Sequence, residues 1–153
     1  IDYDIDLMVD ELKQFVGLEL DDNFSFLDEF VKRFDPNPSI WPIIENARRK
    51  YRIGLLTGMY PRMYDEIYKK PNLMPKVDFD IVIDSSKVKM LKSNPEIYDI
   101  AKKLSKVENQ SEILFIDNEE KNLVIPKSLG WQTFLYSSTE PEKSSEQLNK
   151  LIH

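Results

Sequence analysis

The sequence has no cysteine, one histidine and only four glycines. The lack of cysteine excludes disulfide bonds and thiolate chemistry and fits a reducing compartment, so we expect a cytoplasmic protein. The single histidine, His153, ends the chain after an ordinary helical segment, and we therefore expect no histidine-based catalysis. Gly54 and Gly58 are too isolated to form a glycine-rich phosphate loop.

Long apolar runs and an excess of positive charge are also lacking. No stretch is long enough to span a bilayer, and no secretory signal is visible. The net charge of −6 argues against binding of duplex nucleic acid by the surface as a whole. We therefore expect neither a membrane nor a nucleic acid as a partner. Hydrophobic residues make up 41% of the 153 residues, enough for a soluble domain with a real core.

The first fifty residues have the apolar spacing of helices. The pattern predicts a helix over about 6–16, a second helix capped by Asn23 or Ser25, and a third helix over about 39–50. The segment is rich in acidic residues and contains no strand pattern. We therefore expect residues 1–50 to form a helical appendage to the rest of the chain.

From residue 51 the pattern changes to short apolar strands that alternate with helices. The strands are predicted at IGLLT, FDIVI, ILFID and WQTFLY. Such alternation is typical of an α/β fold in which a parallel sheet has helices on both faces. We therefore divide the chain into a helical segment, 1–50, and a sheet-containing core, 51–153.

The stretch from Ile113 to Asn122 directs polar groups to the end of a buried strand. Its four apolar residues run without alternation into Asp117 and Asn118, and open α/β sheets bind ligands at this end of their strands. An aspartate with a second oxygen ligand beside it suits a hard cation such as Mg²⁺. The alternative is that Asp117 or Asn118 only caps the following helix.

Two further positions have the same ambiguity. Thr57 ends the IGLLT strand and precedes Gly58, so that its hydroxyl and the free N–H groups that follow can hold an anion; alternatively, the pair only caps a helix and makes a turn. Lys92 lies ahead of a helix, near Lys87 and Lys89. It either belongs to a solvated charge cluster or neutralises a phosphoryl group.

Taken in order, these three sites resemble motifs two, three and four of the haloacid dehalogenase-like superfamily. LLTG with Thr57 resembles the second motif, SSKVKMLKSNPEIY with Lys92 resembles the third, and FIDNEEKNLVIPKSLGWQTFLY resembles the fourth in the phosphatase-like branch. The similarity runs from about residue 52 to residue 136. The helical segment 1–50 resembles the small cap of that branch.

This resemblance implies a Rossmann-like sheet and Mg²⁺-dependent hydrolysis, usually of a small phosphorylated metabolite. In the family, an aspartate of the first motif, DxDx[T/V], attacks phosphorus, and its partner aspartate acts as general acid and base. By the same resemblance, Thr57, Gly58 and Lys92 would hold phosphoryl oxygens. Asp117 and Asn118 would hold the metal.

The first motif, with its aspartate nucleophile, is not recognisable in this chain. Its only candidates are Asp2, Asp4 and Asp6, which have no apolar run ahead of them and no threonine or valine at the required place. The missing strand would lie at the centre of the sheet, between the strands that end at Thr57 and Asp117. An empty place there would leave backbone groups unpaired on both neighbours.

Several expectations follow from this departure. Residue 1 is isoleucine, so we expect that the chain does not begin where its gene begins. An N-terminal fragment or a second copy would fill the sheet, and the chain alone would be inactive. Asn118 replaces the second acid of the fourth motif, which weakens Mg²⁺ binding, and Ser93 and Asn94 replace a Pro–Asp pair. The alternatives are a non-catalytic binding or scaffold protein and a dehalogenase-type hydrolase.

Overall fold

The computed structural model describes residues 3–152. The helices are α1 (Leu7–Glu11), α2 (Phe26–Lys32), α3 (Trp41–Ala47), α4 (Met63–Lys69), α5 (Ser85–Val88), α6 (Glu96–Ser105), α7 (Glu120–Ser128) and α8 (Pro141–Ile152). The strands are β1 (Gly54–Thr57), β2 (Ile81–Asp84), β3 (Leu114–Asp117) and β4 (Gln132–Leu135). The expectations for Ile1, Asp2 and His153 lie outside the described residues. No helix over 3–152 is long and apolar enough to cross a lipid bilayer.

The first third is helical, as the sequence predicts, with shorter helices. A π-helical turn, Leu12–Val16, continues α1 and ends at Gly17, whose φ of 67° is favourable for glycine. Ser25 caps α2, because its hydroxyl accepts a hydrogen bond of 3.1 Å from the Asp28 amide. The third helix ends at Ala47 rather than at residue 50 and is preceded by a 3₁₀ turn, Pro38–Ile40.

The strands form two parallel pairs. β1 pairs with β2, so that Leu56 lies opposite Ile83, and β3 pairs with β4, so that Phe115 lies opposite Thr133. Each strand is followed by a helix, which confirms the predicted α/β class. Within residues 3–152, no backbone ladder joins the two pairs.

One hydrophobic cluster connects the two strand pairs. Ile83 and Leu56 of the first pair and Phe115 of the second pack against Tyr98 of α6 and against Trp131. The Tyr98 ring meets the Phe115 and Trp131 rings edge-on, at centroid distances of 5.6 and 5.8 Å. Both pairs therefore share one apolar layer although they share no backbone hydrogen bond.

A second cluster joins the helical first third to α4. Ile5, Leu27 and Val31 are buried against Ile67, and Ile67 has no exposed surface. The first helices therefore lie against the helix that follows β1. The division of the chain at residue 50 into two domains stays a prediction.

Some strand side chains remain in contact with solvent. Val82 is 41% exposed, Ile116 is 36% exposed and Leu135 is 49% exposed. Strands of a parallel sheet normally have both faces covered. The faces of the two strand pairs are therefore incompletely covered over the described residues.

Candidate functional site

Thr57 presents a buried hydroxyl at the end of β1. The residue is 5% exposed, and its Oγ1 has no hydrogen-bond partner. Buried polar atoms are nearly always paired in native proteins, so an unpaired hydroxyl at a strand end is available to a ligand. The following Gly58 is exposed, and a Cβ built there would meet no atom within 4 Å. An anion can therefore approach the backbone at this point.

Asp84 ends β2 directly beside Thr57 and is a group that sequence reasoning missed. It pairs in register with Thr57 and is 3% exposed. Its Oδ1 accepts hydrogen bonds of 3.0 and 2.8 Å from the amide and hydroxyl of Ser86, while Oδ2 has no hydrogen-bond partner. The nearest cation is Lys87, whose Nζ lies 3.9 Å from Oδ2. An acidic residue at the end of the apolar FDIVI run was the available signal.

Lys92 and Asp117 form the central ion pair of the site. The Lys92 ammonium lies 2.6 Å from Asp117 Oδ2. The lysine side chain is 22% exposed and the aspartate side chain is 2% exposed. Lys92 thus differs from Lys87 and Lys89, which are exposed, and it does not belong to a solvated charge cluster.

The other oxygen of Asp117 is held by two donors of the next segment. Its Oδ1 accepts hydrogen bonds of 2.9 Å from the Glu119 amide and 3.0 Å from Asn122 Nδ2. Burial alone would raise the pKa of Asp117, but the bonds from Lys92, Glu119 and Asn122 outweigh it, and the pKa lies below its usual value. Asp117 is therefore an ionised carboxylate that also orders the start of α7.

Tyr98 contacts the backbone of two residues that bind Asp117. Sequence reasoning did not identify it. The Tyr98 hydroxyl donates its one hydrogen between two backbone carbonyls, that of Lys92 at 2.9 Å and that of Asn122 at 3.1 Å. The residue has no exposed surface, and burial, with the nearby Asp117 charge, raises its pKa to about 12. Tyr98 and Asn122 both lie inside the motif stretches that the sequence singles out, so their positions were the available signal.

The described residues supply only part of a magnesium site. Asp117 offers one ionised carboxylate, and Asn118, which follows it, is exposed. Over residues 3–152, no three histidine, aspartate or glutamate side chains converge as metal ligands. Mg²⁺ is bound by six oxygens, several of them from water and phosphate. These residues therefore fit Mg²⁺ as members of a larger ligand set and do not form a complete site by themselves.

The acidic residues near the start of the chain form a separate ion pair, with Arg62. Asp4 and Asp6 bind the guanidinium of Arg62, at distances of 2.6 and 2.7 Å, and neither ends a strand. The structure therefore engages both in an ion pair, and they do not join Lys92 and Asp117.

A surface cavity of about 390 Å³ opens beside Asn118 at the carboxyl ends of β3 and β4. Its lining includes Ser137, Thr139 and Lys143. Ligands of open α/β sheets bind in crevices at this end of the strands. The cavity therefore offers polar contacts beside Asn118, just after the end of β3.

Solved structures of haloacid dehalogenase (HAD) family proteins are similar to this chain. A HAD-like family hydrolase from Porphyromonas gingivalis superposes with a TM-score of 0.74 at 22% identity, over 94% of this chain and 71% of that protein. A HAD family enzyme from Bacteroides thetaiotaomicron gives a TM-score of 0.73 at 20% identity, over 88% of this chain and 68% of that protein. An aspartate-to-alanine variant of the latter enzyme, in complex with magnesium and inorganic phosphate, gives 0.73 at 20% identity, over 88% and 70%.

No protein-family model matches the sequence, and no curated protein matches it significantly. The similarity to known proteins is therefore structural, and at identities of 20% and 22% it establishes the fold. The fold predicted from the three motifs is confirmed. Magnesium and inorganic phosphate are bound in structures of the Bacteroides enzyme.

Proposed function

The chain has the haloacid dehalogenase-like fold, and on this basis we propose that it carries the phosphoryl-binding part of a magnesium-dependent phosphatase site. The observation that carries the proposal is the buried pair of Lys92 and Asp117, 2.6 Å apart at the carboxyl end of β3. At the carboxyl end of β1, in the other strand pair, Thr57 has a buried hydroxyl without a partner. The substrate class would be a small phosphorylated metabolite.

In this proposal the phosphoryl group is held by one positively charged side chain and by hydrogen-bond donors of the strand end. The Thr57 hydroxyl and the Gly58 N–H would donate to one phosphoryl oxygen, and the Lys92 ammonium would neutralise another. Lys92 already balances the charge of Asp117. Tyr98 would keep Lys92 in place through its backbone carbonyl.

Asp117 and Asn118 would be the ligands that this chain contributes to Mg²⁺. A bound Mg²⁺ offsets the charge that develops on phosphoryl oxygens. An amide in place of a second carboxylate removes one negative charge, and affinity falls with the number of carboxylates. Mg²⁺ binding by this chain would therefore be weak unless a further acidic group joins the site.

The proposal includes a fifth strand that joins the two strand pairs. The support is that no ladder connects β1–β2 with β3–β4 over residues 3–152. A parallel apolar strand between β1 and β3 would pair both edges and could bring the aspartate nucleophile to Thr57 and Asp117. It would come from an N-terminal segment of the same protein or from a second copy. Without it, the chain would not turn over substrate.

The test combines the 153-residue chain with a synthetic strand. Hydrolysis of 4-nitrophenyl phosphate is measured for the chain alone and after addition of an apolar peptide that ends in Asp-x-Asp-x-Thr. No turnover is expected from the chain alone, and Mg²⁺-dependent turnover is expected with the peptide. Activity of the chain alone would refute its inactivity, and failure to bind phosphate even with the peptide would refute the site.

The matched variants are Thr57→Val and Thr133→Val. Both remove a strand hydroxyl and keep the branched shape, but only Thr57 lies at the proposed site. Since a hydrogen bond to a charged group contributes about 1.5–3 kcal/mol, T57V is expected to weaken phosphate binding by roughly 10- to 100-fold. T133V is expected to leave it unchanged.

A non-catalytic binding protein is the second candidate. The observation that favours it is the incomplete set of acidic ligands over residues 3–152. Phosphate binding that depends on Thr57 but never leads to hydrolysis, with or without the peptide, would decide for this candidate.

A further inference from the structure

Arg62 connects the first residues of the chain to the loop that follows Thr57. Its Nε donates to Asp4 Oδ2 at 2.7 Å and its Nη2 donates to Asp4 Oδ1 at 2.6 Å, a two-point contact. Nη2 also donates to Asp6 Oδ2 at 2.7 Å. We call these three residues the acidic clamp.

Asp6 extends the acidic clamp to the start of α2. The carboxylate accepts hydrogen bonds from the Ser25 hydroxyl, at 3.0 Å, and from the Leu27 amide, at 3.1 Å. Ser25 is the cap of α2. The Arg62 guanidinium therefore binds a carboxylate that the first residues of α2 also bind. These bonds restrict the positions of both Asp6 and Arg62.

The backbone of Arg62 lies in a conformation that needs support. Its φ is 67° and its ψ is −18°, immediately before α4. A residue with a Cβ rarely adopts the left-handed region without compensating contacts. The clamp supplies such contacts through the side chain of the same residue.

The loop held in this way is the one that carries the candidate anion site. Four residues, 58–61, separate Thr57 from Arg62. Strand pairing fixes one end of this loop and the clamp fixes the other. Within the loop, Gly58 is exposed and a Cβ built there would meet no atom within 4 Å, whereas Met59 packs in the cluster of the first third and the Tyr60 ring lies 6.0 Å from the Phe30 ring.

We infer that Arg62 is a positioning residue for the anion site: its bonds to Asp4 and Asp6 hold the 58–61 loop where the Thr57 hydroxyl and the Gly58 N–H face a bound phosphoryl group. The inference rests on the proposed function for its ligand and on the clamp geometry for its mechanism. The two acidic residues near the start of the chain thus act on the site through Arg62, without touching the ligand.

The methionines provide a direct test by NMR with methyl-¹³C labelling. The chain has five methionines. Met59 lies within the loop and Met63 is the first residue of α4, whereas Met90 packs in the cluster that joins the strand pairs. Inorganic phosphate is the titrant, and the Met59 methyl shift reports its binding. The variant is Arg62→Gly, since glycine removes the guanidinium without placing a Cβ at positive φ.

Two controls separate positioning from stability. Lys106→Gly makes the same exchange at an exposed lysine with a φ of 57° at the end of α6, far along the chain from the loop. Ile67→Val removes a methyl group from the cluster that joins α4 to the first helices and leaves the bonds of Arg62 unchanged. R62G is expected to change the Met59 and Met63 signals, to leave Met90 unchanged, and to weaken phosphate binding about 10-fold, as loss of orientation does. K106G and I67V are expected to bind phosphate like the unchanged chain.

Each other result decides a separate point. Unchanged Met59 and Met63 signals in R62G would overturn the clamp. Changed signals with unchanged phosphate affinity, or an equal loss of affinity in I67V, would show that Arg62 is only structural and overturn the positioning role. If the unchanged chain binds no phosphate even with the strand peptide present, the anion site proposed above fails, and with it the positioning role, while the methionine signals still decide whether the clamp holds the loop.

Discussion

At the scale of single residues, Tyr98 shows how a buried side chain organises a site that it does not enter. Its hydroxyl reaches the backbone carbonyl of Lys92 on one side and that of Asn122 on the other. These two residues bind the two oxygens of Asp117. One phenol thus fixes both partners of the carboxylate.

Removal of this hydroxyl should weaken the fold. In Tyr98→Phe the two carbonyls lose a buried partner, and we expect the free energy of unfolding to fall by about 1–3 kcal/mol, because an unsatisfied buried group loses its full solvation. Urea unfolding measures the change. The control, Tyr68→Phe, alters a tyrosine that is 51% exposed and is expected to remain within about 0.5 kcal/mol. Equal stability of Y98F and the unchanged chain would contradict the role of the hydroxyl.

The acidic clamp should also make stability depend on pH. The bonds from Arg62 hold the pKa of Asp4 below its usual value. Burial would raise the pKa of Asp6, but the bonds from Arg62, Leu27 and Ser25 outweigh it and lower that pKa as well. Carboxylates with lowered pKa values stabilise the folded state above their unfolded pKa of about 3.9 and lose this contribution as the pH falls through the folded pKa.

The measurement compares the chain with the double variant Asp4→Asn, Asp6→Asn. At pH 7 the urea midpoint of the unchanged chain should exceed that of the variant. As the pH falls below about 4, where free aspartates take up protons, the two midpoints should converge. Other carboxylates titrate in both proteins and cancel in the difference. A gap that stays constant down to pH 2 would show that the clamp carboxylates do not contribute through their charge.

At the scale of elements, glycine positions distinguish strand from turn. A Cβ added at Gly54 in β1 would meet Ile81 Cβ at 3.6 Å, an ordinary contact. At Gly130, after α7, φ is 83°, which disfavours any residue with a Cβ. We therefore expect Gly54→Ala to stabilise by about 0.4–1 kcal/mol, through a less flexible unfolded chain.

Gly130→Ala is the matched variant, and it should destabilise by about 1–2 kcal/mol. Thermal unfolding of both variants measures the pair of changes. The same sign for both would show that backbone conformation does not distinguish the two sites.

The sequence predicts the elements well and their partners poorly. Apolar runs ending in Thr57 and Asp117 identify the strands, since side-chain pattern is a local property. The Asp84–Thr57 register and the Arg62–Asp4 contact join segments that are distant in the chain, and no local pattern encodes them. The third helix was predicted to reach residue 50 but ends at Ala47, because helix ends depend on capping contacts more than on periodicity.

At the scale of the whole molecule, the two strand pairs determine how the chain should behave alone. They share the Tyr98 and Trp131 cluster, and over residues 3–152 they share no ladder. The free strand edges are sites at which another strand can pair.

A strand that pairs with both edges should therefore raise stability and cooperativity together. We expect an apolar peptide of five or six residues to raise the thermal midpoint by a few degrees, because about 1 kcal/mol shifts the midpoint of a domain of this size by roughly 2–4 °C. The urea m-value should rise as more surface becomes buried. The matched control peptide has proline at its centre, which removes a ladder donor. If both peptides act alike, or if neither binds, the two strand pairs do not form a strand-accepting gap, and the inactivity proposed for the chain alone needs another cause.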